Sequence, residues 1–142
     1  MRKVKINLSE LMDAFDNCRV GYEFYLDTKT GELLYTSDEF MDPEETKKIY
    51  ERLEDEPERY LSIPERSSRE SYQDMIAFTE SLKDENLQEK LWIALNGRGA
   101  FRRFKDVLLN YPEKREEWFA FKDERLERRV MEWLEENEIE LA

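Results

Sequence analysis

A chain of 142 residues with 41% charged side chains and a formal net charge of -12 is sized for one domain that buries its own core. Its 13% aromatic content excludes a disordered chain, which would lack rings, and its acidity opposes indiscriminate nucleic-acid binding, which needs a basic face. Histidine is absent, which removes serine-histidine triads, histidine zinc sites and imidazole bases.

The acidity also opposes an anionic membrane surface, and no run approaches the roughly 20 apolar residues needed to span a bilayer. The basic N-terminus leads into no apolar block, so no signal peptide is expected. The one cysteine, Cys18, cannot form an internal disulfide, which fits the cytoplasm.

In chain order, Val4, Ile6 and Leu8 alternate with polar residues as a short strand would. A helix is predicted to open at Asn7, with Glu10 in capping-box spacing and Leu8, Leu11, Met12 and Phe15 on its buried stripe. Arg19-Val20-Gly21 closes it. Tyr22 to Leu26 and Leu33 to Thr36 are strand-prone runs. Between them, Asp27 opens a turn and Gly31 supplies a positive φ, which predicts a hairpin with a G1 bulge.

Asp42-Pro43-Glu44-Glu45 predicts the next helix start, with Ile49, Tyr50 and Leu53 facing inward. Tyr60 to Ile63 reads as a third strand stopped by Pro64. From there the pattern is helical. Ser67 with Glu70 and Asn86 with Glu89 are capping boxes, and Leu87, Leu91, Trp92 and Leu95 follow the second. Gly97 ends that helix. Ala100, Phe101, Phe104, Val107, Leu108 and Tyr111 form one face of the next, leaving Leu109 on the opposite side. Pro112 starts a helix carrying Trp118 and Phe121, and a last amphipathic stretch buries Leu126, Val130, Trp133 and Leu134.

The expected fold is therefore α+β: a small antiparallel sheet, made of the hairpin and a third strand, with one face covered by helices, then an all-helical C-terminal half. The expected organisation is a single domain over residues 1–142, with a β-containing half to about residue 66 and a helical half from about residue 67.

Gly97-Arg98-Gly99-Ala100-Phe101-Arg102-Arg103-Phe104-Lys105-Asp106 breaks these rules. It holds two of the four glycines and crowds four bases around one acid. Those bases fall at a helix start, where the macrodipole disfavours them. One reading is an anion site: amides of Gly99, Ala100 and Phe101 at the helix mouth, joined by Arg98, Arg102, Arg103 and Lys105. The other reading is structural, with the glycines turning one helix into the next and the arginines paired internally. On a helical wheel Arg103 and Lys105 flank the apolar stripe on opposite sides, so the bases fan out.

Other constellations read as bland. The pairs Glu85 with Glu89, Glu113 with Glu117 and Glu132 with Glu136 are expected by chance among 35 acids and read as solvated faces. Trp92, Phe101, Phe104, Tyr111, Trp118, Phe121 and Trp133 have helical spacing and read as core. Cys18, with no histidine to activate it, reads as a small buried side chain.

Taken together, the Leu26-Asp27-Thr28-Lys29-Thr30-Gly31-Glu32 turn, the Tyr72-Gln73-Asp74-Met75-Ile76-Ala77-Phe78 block, the Gly97 to Asp106 segment and Trp133-Leu134 resemble the bacterial uncharacterised protein family 0158. The resemblance covers nearly the whole chain and implies a bacterial cytoplasmic protein. It implies no reaction, cofactor or catalytic residue.

The leading expectation is a non-catalytic, cofactor-free module that recognises an anionic ligand or an anionic group on a protein partner. An assembly protein is the alternative, with internally paired arginines and a terminal helix packing Trp133, Leu134, Ile139 and Leu141 on a second copy as a homodimer. An enzyme reading needs a carboxylate-bound metal.

Overall fold

Capping chemistry sets most of the element boundaries in the computed structural model, which describes residues 2–18, 21–65 and 67–142. The elements run β1 (Arg2–Val4), α1 (Leu8–Asn17), β2 (Glu23–Asp27), β3 (Leu33–Thr36), α2 (Pro43–Asp55), β4 (Tyr60–Ser62), α3 (Ser68–Ser81), α4 (Glu85–Ala94), α5 (Ala100–Leu108), α6 (Pro112–Glu136) and β5 (Ile139–Leu141). The fold is α+β, as the periodicity predicts. Asn7 accepts from the Glu10 amide at 3.1 Å, Asp42 from Glu44 at 3.0 Å and Ser67 from Glu70 at 3.3 Å. Each answers an amide that has no partner within its helix.

Several boundaries differ from the sequence pattern. Helix α4 is capped by Asp84, which accepts from Asn86 and Leu87 at 3.1 and 3.2 Å; Asn86 therefore lies inside the helix. Helix α6 continues unbroken from Pro112 to Glu136. The Arg19-Val20 part of the expected α1 stop lies outside the described residues. Beyond α6, Glu138 takes φ 58, and the chain turns into β5. Ile139 and Leu141 thus belong to a strand, not to a terminal helix. Their partner is β1, in parallel, with Arg2 opposite Ile139 and Val4 opposite Leu141.

Two compact units result, one comprising Met1–Arg66 with Glu127–Ala142 and the other Ser67–Leu126. The β1–β5 pair accounts for the grouping of the last residues with the first. In the first unit a three-stranded antiparallel sheet has the order β3-β2-β4. It has helical neighbours on both sides rather than one. Ala14 of α1 borders Phe24 and Leu33, while on the other side Arg52 of α2 lies over the Tyr60 ring at 5.8 Å. The second side also carries rings, Tyr25 and Tyr60, so both sides have apolar surface to cover.

A buried charge pair closes this sheet. Asp27, fully buried at the end of β2, accepts from Arg59 Nε at 2.9 Å and Nη2 at 2.8 Å. The same carboxylate accepts from the amides of Lys29 at 2.9 Å and Thr30 at 3.3 Å. Gly31 takes φ 81, as the turn requires, and an added Cβ there would collide with the Lys5 carbonyl. Thr28 donates to the Arg59 carbonyl through its amide and its hydroxyl, at 2.9 and 2.6 Å.

In the second unit the core is Met75, Phe78, Leu87, Leu91, Leu95, Phe104, Leu108 and Trp118. Trp118 packs edge-on against Phe104 at 5.0 Å and Phe78 at 5.4 Å. Edge-to-face rings of this kind add to the area they bury. Trp92 and Phe101 do not join this core: they are 39% and 38% exposed. Trp92 sits about 100° around α4 from the buried Leu91, which turns its ring outward.

The Arg59 guanidinium, more than the amides, holds the Asp27 carboxyl well below the usual carboxylate range, against the opposing push of burial. An unfolded aspartate titrates near pH 4, so this stabilisation is complete above about pH 4 and is lost as pH falls below it. Asp27→Asn should cost about 3 kcal/mol at neutral pH and remove this carboxylate's share of the acid-induced loss of stability. Urea unfolding at pH 7 and pH 3 measures both.

Candidate functional site

Two glycines turn α4 into α5. Gly97 takes φ 87 and Gly99 φ 75, both in the left-handed region that a Cβ disfavours. Gly99 is the N-cap of α5 and offers no side chain to the first amides of that helix. The turn leaves a cluster of carbonyls at the end of α4 without helical partners.

Arg103 answers them. Its Nε donates to the Ala94 carbonyl at 3.1 Å, Nη2 to Asn96 at 2.6 Å and Nη1 to Arg98. Tyr72 donates to the neighbouring Leu95 carbonyl at 2.6 Å. A Cβ on Gly99 would come within 3.2 Å of Arg103 Nη1, so the second glycine also leaves room for the guanidinium. For Arg103, this resolves the charge conflict at the start of α5. Arg103 begins one helix by sequence, but its charge sits at the negative end of the preceding helix, where cations are favoured. Its partners are main-chain carbonyls rather than carboxylates.

The other expected site residues are placed differently. Ala100 is 6% exposed and contributes backbone. Arg98, Phe101, Arg102 and Lys105 are exposed. The Arg102 side chain is 89% exposed, with Asp106 Oδ2 at 3.9 Å from its Nε. Among the described residues, the Arg98 and Lys105 side chains make no hydrogen bond or ion pair. Phe101, Lys105 and Leu109 follow one another at four-residue steps along α5, and Leu109 is 60% exposed. The outer face of α5 thus combines one ring, alkyl groups and positive charge in an acidic protein. Arg103 is turned away from it.

Cys18 is buried, and its thiol donates to the Ile63 carbonyl at 3.3 Å. Burial pushes that thiol up from its ordinary value, so it is a thiol at neutral pH. Among the described residues no group of three or more cysteines and carboxylates is placed to hold a metal ion, and no helix is long and apolar enough to cross a membrane. Sequence reasoning missed the Arg103 contacts. The one available signal was the pair of flanking glycines, which leave room for a side chain to fold back.

The family model described as Uncharacterised protein family (UPF0158) matches residues 1–142. A UPF0158 protein of Pseudomonas aeruginosa is 36% identical over 142 residues, covering 100% of this chain and 89% of the relative. A UPF0158 protein of Chlamydia pneumoniae is 34% identical over 133 residues, covering 93% of this chain and 41% of the relative. One from Chlamydia trachomatis is 32% identical over 138 residues, covering 96% and 42%. The chain therefore spans less than half the length of these chlamydial relatives. No solved structure matches it.

Removing the three-carbonyl clamp should loosen the second unit. Arg103→Ala is expected to cost roughly 2 kcal/mol, read by thermal or urea unfolding, and Arg103→Lys should recover only part of it because an ammonium lacks the planar fork.

Proposed function

The chain belongs to the UPF0158 family, and we propose that it is a non-catalytic binding module, working in the cytoplasm, whose outer α5 face takes an anionic segment of a partner protein. One observation carries this reading: Arg102 and Lys105 are exposed on α5 with Phe101 and Leu109, Arg98 is exposed in the turn before it, and none of the three has the main-chain clamp that holds Arg103, Arg102 having, among the described residues, only the exposed Asp106 at 3.9 Å. Lone exposed apolar side chains need no explanation. A strip that combines them with solvent-exposed cations, on a chain of net charge -12, is matched by an acidic amphipathic partner. The amides at the mouth of α5 have no side-chain cap and favour a negative group there.

The assembly alternative has less to work with at the C-terminus. Trp133 packs edge-on against Phe15 at 5.2 Å, and Leu134 and Ile139 are buried within the same chain. Those side chains are spent before a second copy arrives.

The test uses a synthetic peptide of glutamate and leucine in helical spacing. Arg98→Glu with Arg102→Glu should fold normally, since both side chains are solvent-facing, and should bind the peptide about tenfold more weakly, a loss of roughly 1.4 kcal/mol. Binding by the parent protein should also fall as salt is raised. Undiminished binding by the folded double variant would sink the reading.

A further inference from the structure

Four aromatic rings form an unbroken row in the first unit. Tyr35 lies 5.9 Å from Phe24, Phe24 lies 6.4 Å from Tyr22 with planes 25° apart, and Tyr22 lies 5.6 Å from Phe40 with planes 10° apart. Strand register sets the middle of the row. Phe24 is directly opposite Tyr35, and Tyr22, two residues earlier, points to the same side. Phe40 joins from the turn after β3. Both ends are open to solvent, with Phe40 71% and Tyr35 48% exposed. Aromatic surface gathered into one exposed row marks an interaction surface more than scattered apolar residues do.

Among the described residues, the two concavities beside the row are lined by charge of one sign. A concavity of about 180 Å³ bordered by Phe24 and Tyr35 carries Glu10 and Asp13. A larger one, about 550 Å³ and bordered by Tyr22, carries Glu23, Asp38 and Glu65. Among the described residues lining either concavity there is no lysine or arginine. Glu23 itself points to the other side of β2 from Tyr22 and Phe24, where it accepts from Tyr25 at 2.5 Å.

Ring faces are electrostatically negative, so rings flanked by carboxylates attract a cation laid flat on them. Guanidinium suits both demands at once. It is planar and weakly hydrated, stacks on a ring, and presents N–H groups at its edge to a carboxylate; an ammonium is a strongly hydrated point charge. A nucleic acid would also find rings to stack on, but its phosphates would meet the like charges of Glu10, Asp13, Asp38 and Glu65.

We infer that the Tyr35–Phe24–Tyr22–Phe40 row is a docking strip for an arginine-bearing peptide segment of another protein. Guanidinium groups lie on the exposed rings, and the flanking carboxylates take their N–H edges. The ring row belongs to the first unit and α5 to the second, and neither reading depends on the other.

The experiment titrates the full chain with two ten-residue peptides, one alternating arginine with glycine and the other lysine with glycine, and with a thymidine decanucleotide. Net charge alone would attract both peptides equally, so the readout is their ratio. The arginine peptide should bind about fivefold more tightly than the lysine peptide. That preference should vanish in a Tyr35→Ala, Phe40→Ala variant and fall in Phe40→Ala alone. Circular dichroism checks that each variant is folded. Equal affinity for the two peptides, a preference that survives in the folded variants, or tighter binding of the decanucleotide would each overturn the inference.

Discussion

A carboxylate taken fully out of water stabilises a fold only if its oxygens are answered from several directions. Asp27 meets that condition through both prongs of the Arg59 guanidinium and two turn amides. These contacts do more than neutralise a charge. Asp27 ends β2, the amides belong to the hairpin loop, and Arg59 immediately precedes β4. One carboxylate therefore ties together the strand, its turn and the third strand. The register of the sheet, the placement of the Tyr22 and Phe24 rings on it, and the cation stacking on Tyr60 all presuppose that tie. Arg59 also reaches Glu56 at 2.7 Å, so the end of α2 is drawn into the same knot.

The second unit solves a related problem with the opposite charge. Where α4 stops, carbonyls point out of the helix end with nothing to receive. Arg103 supplies three donors from one rigid group, which a flexible ammonium does poorly. Asp74 and Arg125 repeat the buried carboxylate arrangement in this unit, at 2.6 Å. In a chain with so many solvated charges, the few that fix the architecture are those with several simultaneous partners. Exposed pairs such as Lys114 with Glu117 contribute little.

What could be read from the sequence follows the range of the interactions involved. The hairpin, its Gly31, and the caps at Asn7, Asp42 and Ser67 depend on neighbours within a few residues, and all appear where the pattern puts them. The cap of α4 is misplaced because Asp84 and Asn86 are both good caps and only the geometry decides between them. Strand β5 is three residues long and finds its partner at the other end of the chain, so no local period announces it. In the Gly97 to Asp106 segment the helical wheel shows that the bases fan out, but not that Arg103 folds back onto the end of α4. Arg103 follows Arg102 directly, yet a step of about 100° on the helix sends one side chain back onto α4 and the other into solvent. The ring row is invisible for the same reason, since Phe40 reaches Tyr22 from outside the hairpin.

The parallel pairing of β1 with β5 imposes an order of events during synthesis. Arg2 to Val4 are made well before Ile139 to Leu141 and cannot pair with them until the residues between have been made. Residues 67–126, by contrast, emerge as one uninterrupted run and hold their own core. Contacts this distant along the chain are slow to form because a long loop must close first. Until it closes, the edge of β1 stays bare on the nascent polypeptide, a template that chaperones or a neighbouring chain can engage.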